Sequence, residues 1–153
     1  MVHMSNPIRF YDRNTTYFEL SNSYEHPILV EDLSWPSVEH YLQASKFPSE
    51  THVELREKIR TARTLKKATL IVDANKKWIR SDWLEVCETL VLNALRVKYS
   101  DPVLQKQLLN TGSRELVENS PFDRYWGAGR QGDGQNRLGV LLMQLRQELK
   151  AQP

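Results

Sequence analysis

A carboxylate, an amide and an amine fall into one row in the first half of the chain. Glu39 and Lys46 are seven positions apart, which equals two helical turns, and Gln43 lies between them. On one helix face, such a row can grip sugar hydroxyls, supply an acid or a base, and offer an amine nucleophile. The spacing alone favours a simpler interpretation, a solvated polar face. His40 lies off the row, where packing or capping is the expected role.

A glycine-rich segment near the C-terminus is the second candidate for chemistry. Five of the six glycines of the chain lie in residues 125–139, just where a last helix is expected to begin near Leu138. Glycine has no Cβ, so a run of glycines exposes backbone N–H groups, and a helix N-terminus adds a positive dipole end. This combination suits a phosphate. The alternative is a mobile surface loop, although linkers of that kind are usually rich in serine.

Two tryptophans lie beside polar loop or cap residues. A flat ring at Trp35 or Trp126 can stack on a base, although either ring can instead belong to the core. Neither His-x-x-x-His nor Cys-x-x-Cys occurs, and the single cysteine, Cys87, falls on an apolar helix face. We therefore expect no metal and no cofactor.

The composition narrows the class of protein. The 153 residues, 40% of them hydrophobic and 26% charged, are typical of one globular domain. No apolar run approaches the length of a membrane span, and the start of the chain lacks the pattern of a secretory signal. We expect a cytoplasmic protein with no membrane partner. A net charge of +2 does not by itself indicate nucleic acid, and no feature indicates a protein partner.

The pattern of apolar and turn residues predicts an α+β fold, mainly helical, with a small antiparallel sheet. We expect residues 8–11 and 27–30 to be the strands that pair in that sheet. The remaining expected elements are a helix over residues 38–47 capped by Ser34, a helix that begins after Ser49 or Thr51, runs through Leu65 and ends among residues 66–70, a central helix over residues 83–97, a short helix over residues 102–109 capped by Asp101, a strand over residues 115–118, and a last helix over residues 138–149.

The two candidate segments together resemble the YbiA-like proteins of the NADAR (NAD and ADP-ribose) superfamily. The resemblance runs over nearly the full chain, and we expect one NADAR domain over residues 8–150 after a disordered tail over residues 1–7. The motifs that carry it are, in order, Phe10-Tyr11, Leu20-Ser21-Asn22, Trp35-Pro36-Ser37-Val38-Glu39-His40-Tyr41, Gln43-Ala44, Lys46-Phe47, Trp83, Asp123-Arg124-Tyr125-Trp126-Gly127-Ala128-Gly129, Gly132, Gly134 and Asn136-Arg137-Leu138-Gly139.

The resemblance implies an enzyme that cleaves an N-glycosidic bond of ribose. Two substrate classes are known in the family: phosphorylated ribosylamino intermediates of early riboflavin synthesis in YbiA-like members, to which this chain is closest, and ADP-ribose attached to guanine bases in others. Taken with the chemistry above, the resemblance gives Glu39, Lys46 and Asp123 as catalytic residues. The substrate-binding residues expected in the same way are Asn22, Trp35, Gln43, Trp126, Gly127, Gly129, Asn136 and Arg137.

The chemistry of ribosyl transfer agrees with these residue types but leaves their roles open. Breaking a ribosyl C–N bond develops positive charge at the anomeric carbon. A carboxylate from Glu39 or Asp123 would either stabilise this charge or activate the attacking water. Lys46 either attacks the opened ribose as a neutral amine and forms a Schiff base, or stays charged and binds hydroxyls or phosphate. The family resemblance favours the Schiff-base role of Lys46.

The glycine-rich segment would bind the rest of the substrate. Arg137 and the backbone amides of residues 127–134 form the expected phosphate clamp, and Trp126 the stacking surface for the base. Asn136 would hold either the loop or a ribose hydroxyl. One departure concerns residues 69–78, where relatives carry a Gly-Arg pair that this chain lacks.

Two other functions stay open at this point. An ADP-ribosyl hydrolase acting on guanine bases of nucleic acid would need a basic stripe, for which the candidates are Lys66, Lys67, Lys76, Lys77 and Arg80. A non-catalytic NAD- or ADP-ribose-binding module would bind nucleotide without turnover.

Overall fold

Residues 6–152, which this computed structural model describes, form six α-helices and four short strands. The predicted α+β, mainly helical class is confirmed. The predicted tail over residues 1–7 falls largely on residues 1–5, which lie outside the described residues. The elements are β1 (Ile8–Phe10), β2 (Ile28–Val30), β3 (Leu33–Trp35), α1 (Val38–Ser45), α2 (Val53–Arg60), α3 (Leu65–Ala74), α4 (Trp83–Lys98), α5 (Pro102–Leu109), β4 (Leu116–Glu118) and α6 (Arg137–Lys150).

The chain divides into two compact units. The central unit, Glu25–Lys98, holds β2, β3 and the helices α1 to α4. The terminal unit combines the described residues up to Tyr24 with those from Tyr99 onward, and it holds β1, β4, α5 and α6. Within the central unit, α1 packs against α2, α3 and α4, so three helices fix its orientation. Within the terminal unit, α6 packs against β4 and α5.

The strand pairing differs from the predicted one. The structure has two two-stranded sheets: β1 runs parallel to β4, and β2 pairs antiparallel with β3. The reason is a two-residue turn between β2 and β3, where Glu31 and Asp32 have φ angles of 58° and 62°. Positive φ at both central residues is typical of the type I′ hairpin turn, which normally carries Asn or Gly. The sequence Glu-Asp does not indicate such a turn, so the pairing of residues 8–11 with residues 27–30 was wrong.

The start of α1 at Val38 agrees with the prediction, but the predicted cap was wrong. Ser34 belongs to β3, and the residue that caps α1 is Ser37, whose Oγ accepts a hydrogen bond from His40 N at 3.1 Å. A serine hydroxyl at this position satisfies one of the N–H groups that a first helical turn leaves without a partner.

The predicted second helix is in fact two helices. α2 ends at Arg60, and Thr64 then caps α3 by accepting a hydrogen bond from Lys67 N at 3.1 Å. The break is hidden because Leu55, Ile59, Ala62 and Leu65 keep a spacing of three or four positions across it. The predictions of α4, of α5 with its Asp101 cap, of β4 and of α6 are confirmed.

Candidate active site

The polar row on α1 is the side of that helix that is not buried. Six of its eight residues are buried, and the other two are Glu39 and Gln43, which are half-buried. Gln43 Nε2 donates a hydrogen bond to Glu39 Oε1 at 2.7 Å. The bond holds the carboxylate along the helix surface, so two members of the predicted row do lie in contact.

Lys46, the third member of the row, follows the last residue of α1. Its side chain is half-buried, and Nζ lies 6.0 Å from the centre of the Trp83 ring at the start of α4. An aromatic face attracts a cation at this distance. Arg80 N also donates to Lys46 O at 2.8 Å. The backbone and the side chain of Lys46 are thus both placed against the segment that leads into α4.

The first turn of α1 is tied to the turn between α2 and α3 by His40. The ring is buried, with Nδ1 2.8 Å from Ser37 Oγ and Nε2 3.2 Å from Ala62 O. Because a carbonyl oxygen can only accept, the geometry places the ring proton on Nε2 and makes Nδ1 the acceptor of the Ser37 hydroxyl. Burial lowers the pKa of His40, which keeps the neutral ring that this arrangement requires. The packing role expected for His40 agrees with its burial.

The last turn of α1 is held by a residue that sequence analysis missed. Arg56 of α2 donates from Nη1 to Ala44 O and to Phe47 O, both at 3.0 Å, and from Nη2 to Glu31 Oε2 at 2.9 Å. These partners lie nine to twenty-five positions away in the sequence, so no local pattern marks Arg56 as different from other helix residues.

Trp35 has a structural explanation. The ring is 1% exposed, packs edge-on against Tyr41 with centroids 5.3 Å apart, and lies 5.8 Å from the guanidinium of Arg56. Its Nε1 donates to Val30 O at 3.1 Å. The structure therefore supports the core alternative for Trp35, and its role as a surface that stacks on a substrate base is wrong.

In the terminal unit, Asp123 shapes the turn that carries Trp126. Oδ1 of Asp123 accepts hydrogen bonds from Tyr125 N at 2.9 Å and Trp126 N at 2.8 Å. The Trp126 ring is half-buried and packs edge-on against Tyr125, with centroids 4.9 Å apart. One carboxylate oxygen of Asp123 thus has a structural role, whereas Trp126 keeps part of its ring exposed.

Asn136 precedes α6 in the left-handed region, with a φ of 50°. Its Oδ1 accepts from Glu118 N, and its Nδ2 donates to Leu116 O, both at 2.9 Å. The side-chain amide therefore continues the hydrogen bonding of β4 as another strand would. Of the two roles expected for Asn136, the structure supports that of holding the loop.

The backbone amides of the glycine-rich segment are largely used within the protein. They donate to backbone carbonyl oxygens at 2.6–3.2 Å. The N–H groups that do so are those of Ala128, Gly129, Gly132, Gly134, Gln135, Asn136, Arg137 and Leu138. The predicted phosphate clamp is therefore wrong as far as these backbone amides are concerned, and the first turn of α6 has two of its N–H groups already bound.

The glycines of this segment allow close packing of backbone. A Cβ on Gly127 would overlap the carboxylate of Glu118, and one on Gly139 would overlap Leu116 O. Gly129 has a φ of +73°, which favours glycine, and a Cβ there would meet the Arg124 side chain at 2.9 Å. Within the terminal unit, the glycines bring the loop onto β4.

Asn22 in the terminal unit carries a buried amide oxygen. Asn22 is 5% exposed, and over residues 6–152 nothing in the protein hydrogen-bonds its Oδ1. A buried amide oxygen without a hydrogen bond is costly, and a donor on a ligand would remove that cost. The position is among those expected to bind substrate.

Neither a metal site nor a membrane-spanning helix is found among the described residues. Between residues 6 and 152, His, Cys, Asp and Glu side chains nowhere come together in a group of three or more that could ligate a metal. Over the same residues, every helix is too short or too polar to cross a bilayer.

The family assignment follows from comparison with known proteins. The model of the NADAR domain matches residues 9–150. The chain belongs to the NADAR domain family. It is 40% identical to N-glycosidase YbiA of Escherichia coli over 143 residues, which cover 93% of this chain and 88% of YbiA. The match to the NMR structure of E. coli YbiA covers 97% of this chain and 88% of the YbiA chain, with a TM-score of 0.80 at 37% identity. The predicted YbiA-like fold is therefore confirmed.

Other relatives extend the comparison beyond enterobacteria. An N-glycosidase of Nostoc punctiforme is 35% identical over 144 residues, covering 94% of this chain and 92% of that protein. The chloroplastic riboflavin biosynthesis protein PYRR of Zea mays is 37% identical over 158 residues, covering 95% of this chain but 25% of the maize protein. The expected enzyme class, N-glycosidase, is that of the relatives matched over nearly their full length.

Proposed function

We propose that this NADAR protein hydrolyses the ribosyl C–N bond of a phosphorylated ribosylamino pyrimidine intermediate of riboflavin biosynthesis. The observation that carries the proposal is the polar row of α1, in which Glu39 and Gln43 are the two residues of an otherwise buried helix that face outward and bond each other. The names of the relatives, N-glycosidase and riboflavin biosynthesis protein, support the reaction and the substrate class.

Glu39 acts on the anomeric carbon in this proposal. Departure of the base develops positive charge there, and a carboxylate held in place before the reaction stabilises that charge without reorganisation. The Gln43 amide holds Glu39 Oε1 at 2.7 Å and thereby fixes the orientation of the carboxylate. Asp123 is the second candidate for this role, although one of its oxygens already binds two backbone N–H groups.

Lys46 supplies the amine. Its uncharged form adds to C1 of the opened ribose, the C1–N bond to the pyrimidine amine breaks, and the departing amine takes up a proton. Water then hydrolyses the resulting imine, which frees the lysine and releases ribose phosphate. The Trp83 ring, 6.0 Å from Nζ, provides the aromatic surface against which the amine is held.

The terminal unit carries further residues that the proposal assigns to substrate binding. The half-buried Trp126 ring offers a surface for the pyrimidine, and Arg137, half-buried at the start of α6, offers a guanidinium for the phosphate. Asn22 Oδ1, which lacks a protein partner in residues 6–152, accepts a hydrogen bond from a substrate hydroxyl. Gly127 and Gly129 contribute by shaping the loop that carries Trp126.

The nucleic-acid alternative is less well supported. Of the five basic residues that a binding stripe would use, Arg80 pairs with Asp82 at 2.6 Å and Lys76 lies 3.8 Å from Asp73. A cation that pairs with a carboxylate of its own chain contributes less to phosphate binding.

A substrate panel separates the three candidate functions. The purified chain is incubated with the phosphorylated ribosylamino pyrimidine, with an oligonucleotide carrying ADP-ribosylated guanine, and with ADP-ribose alone. We expect release of ribose 5-phosphate from the first and no cleavage of the second. Cleavage of the oligonucleotide alone would contradict the proposed substrate, and tight binding of ADP-ribose without turnover of either would contradict the proposed activity.

The role of Lys46 has its own test. Borohydride added during turnover reduces an imine and leaves the sugar phosphate covalently attached. Mass spectrometry should then find the adduct on the peptide that contains Lys46 and not on the Lys46→Ala variant. Turnover without any adduct would make Lys46 a charged binding group instead.

A further inference from the structure

We propose that Arg56 is a positioning residue for Lys46, and that the hairpin turn between β2 and β3 presents Glu31 to hold Arg56 in place. The inference rests on the proposed function insofar as it concerns turnover. Neither residue belongs to the polar row, and neither is marked by any motif of the sequence.

The contacts of Arg56 bracket Lys46 in the chain. Nη1 donates to Ala44 O and to Phe47 O, both at 3.0 Å, so one guanidinium nitrogen fixes the backbone on either side of Lys46. Ala44 O also accepts from Phe47 N at 3.1 Å, and Arg56, whose side chain is 11% exposed, adds a further donor there and one to Phe47 O. A planar guanidinium holds its donors in a rigid fork, which a lysine in its place could not do. The direction in which α1 ends, and with it the origin of the Lys46 side chain, therefore depends on Arg56.

Glu31 in turn orients Arg56. Its Oε2 lies 2.9 Å from Arg56 Nη2, and the Trp35 ring lies 5.8 Å from the guanidinium carbon on another side. The other guanidinium nitrogen is thus bound to the hairpin while Nη1 is bound to α1.

The backbone of the hairpin indicates that the glutamate is there for its carboxylate. Glu31 and Asp32 have φ angles of 58° and 62°, a conformation that Asn and Gly adopt far more readily than either residue does. A residue type that disfavours the φ angle at its position destabilises the turn, so its presence there points to a function of its side chain. Of the two, Glu31 is the one that contacts Arg56.

A purely structural role makes a different prediction. The Glu31 carboxylate is 49% exposed, and ion pairs of that kind contribute little to stability. If stability were all that the pair provides, replacing Glu31 by asparagine would relieve the turn, remove a weak ion pair, and leave Lys46 where it is.

The test compares Glu31→Asn with Asp32→Asn. Both variants place asparagine at a positive φ and relieve the turn, but only the first removes the partner of Arg56. We expect both melting temperatures to equal or exceed that of the wild type. Because a small misplacement of a reacting group reduces the rate strongly, we expect Glu31→Asn to lower kcat by about tenfold with little change in KM, and Asp32→Asn to leave both unchanged.

A second measurement does not depend on the substrate. Reductive methylation with ¹³C-formaldehyde labels the lysines, and the Lys46 signal is identified by its loss in Lys46→Arg. The nearby Trp83 ring shifts this signal, so it should move in Glu31→Asn and in Arg56→Gln and stay in Asp32→Asn. An active wild type in which Glu31→Asn leaves either kcat or the Lys46 signal unchanged overturns the inference. An inactive wild type would contradict the proposed function instead, and the methyl signal would still decide whether Arg56 positions Lys46.

Discussion

The polar row of α1 and the glycine-rich segment of the terminal unit look equally functional as sequences, yet their polar groups are used in different ways. On α1, the backbone is held at both ends by His40 and Arg56, and Glu39 and Gln43 are left on the one unburied face. In the glycine-rich segment, backbone amides and the Asn136 side chain bind to the protein itself. On α1, polar side chains thus lie on the unburied face, whereas the glycines chiefly bring the backbone of their segment onto β4.

The largest effect on stability should come from adding a side chain where the glycine-rich segment packs most closely against β4. A Cβ on Gly139 would overlap Leu116 O and the Asn136 side chain, so Gly139→Ala should destabilise the protein by more than about 3 kcal/mol. A Cβ on Gly132 has nothing within 4 Å, and Gly132→Ala should cost only about 1 kcal/mol because of its positive φ. Urea unfolding monitored by tryptophan fluorescence compares the two variants. Equal stability of both would mean that the segment is an open loop.

Removing the Asn136 amide should have the next largest effect. Asn136→Gly keeps the left-handed backbone but loses the two hydrogen bonds to β4, which we expect to cost about 2 kcal/mol. Unfolding in urea gives the loss, and KM shows whether substrate binding is affected in the protein that stays folded. A raised KM with unchanged stability would support the substrate-binding role for Asn136 that the structure disfavours.

The smallest effect concerns the hydrogen bonds of His40 at the start of α1, whose contribution to the stability of the protein should depend on pH. Burial lowers the pKa of His40 below its usual 6.5, against weaker opposing effects of the Ala62 hydrogen bond and of Glu25, so the unfolded chain takes up the proton more readily than the folded chain. The stabilisation is fully present above the unfolded pKa and is lost as pH falls through the folded pKa. Urea unfolding at a series of pH values from 7.5 downward should show the loss.

The matched variant for this pH series is His40→Gln, which keeps a donor for Ala62 O but does not titrate. Its stability should fall less than that of the wild type over the same range. A wild type and variant with parallel pH profiles would show that His40 does not titrate in that window.

Much of the fold could be predicted because its signals are local. The apolar periodicity of α4, the Asp101-Pro102 start of α5, and the spacing of Glu39 and Gln43 each follow from one stretch of sequence. The hairpin turn at Glu31 and Asp32 could not be predicted, because its residues are not those that favour its backbone. The tertiary contacts of the hairpin outweigh that local preference.

The partners of the glycine-rich segment could not be predicted from its sequence. Glycines indicate that something approaches the chain closely, but their sequence does not tell whether it is a ligand or the protein's own β4; at Gly127 and Gly139 it is the protein. Likewise, Arg56 and Trp35 differ in nothing local from other residues of their types. Their roles arise from partners that only the folded chain brings near.

The central claim is that the Glu39 carboxylate on the unburied face of α1 carries the chemistry, and one pair of variants tests it most directly. Glu39→Gln and Glu54→Gln each neutralise a glutamate in the first turn of a helix, α1 and α2 respectively. Release of ribose 5-phosphate should fall by roughly a hundredfold or more in Glu39→Gln, as for the loss of a group that stabilises transition-state charge, and stay at the wild-type rate in Glu54→Gln. Equal rates in the two variants, with both proteins folded, would contradict the account.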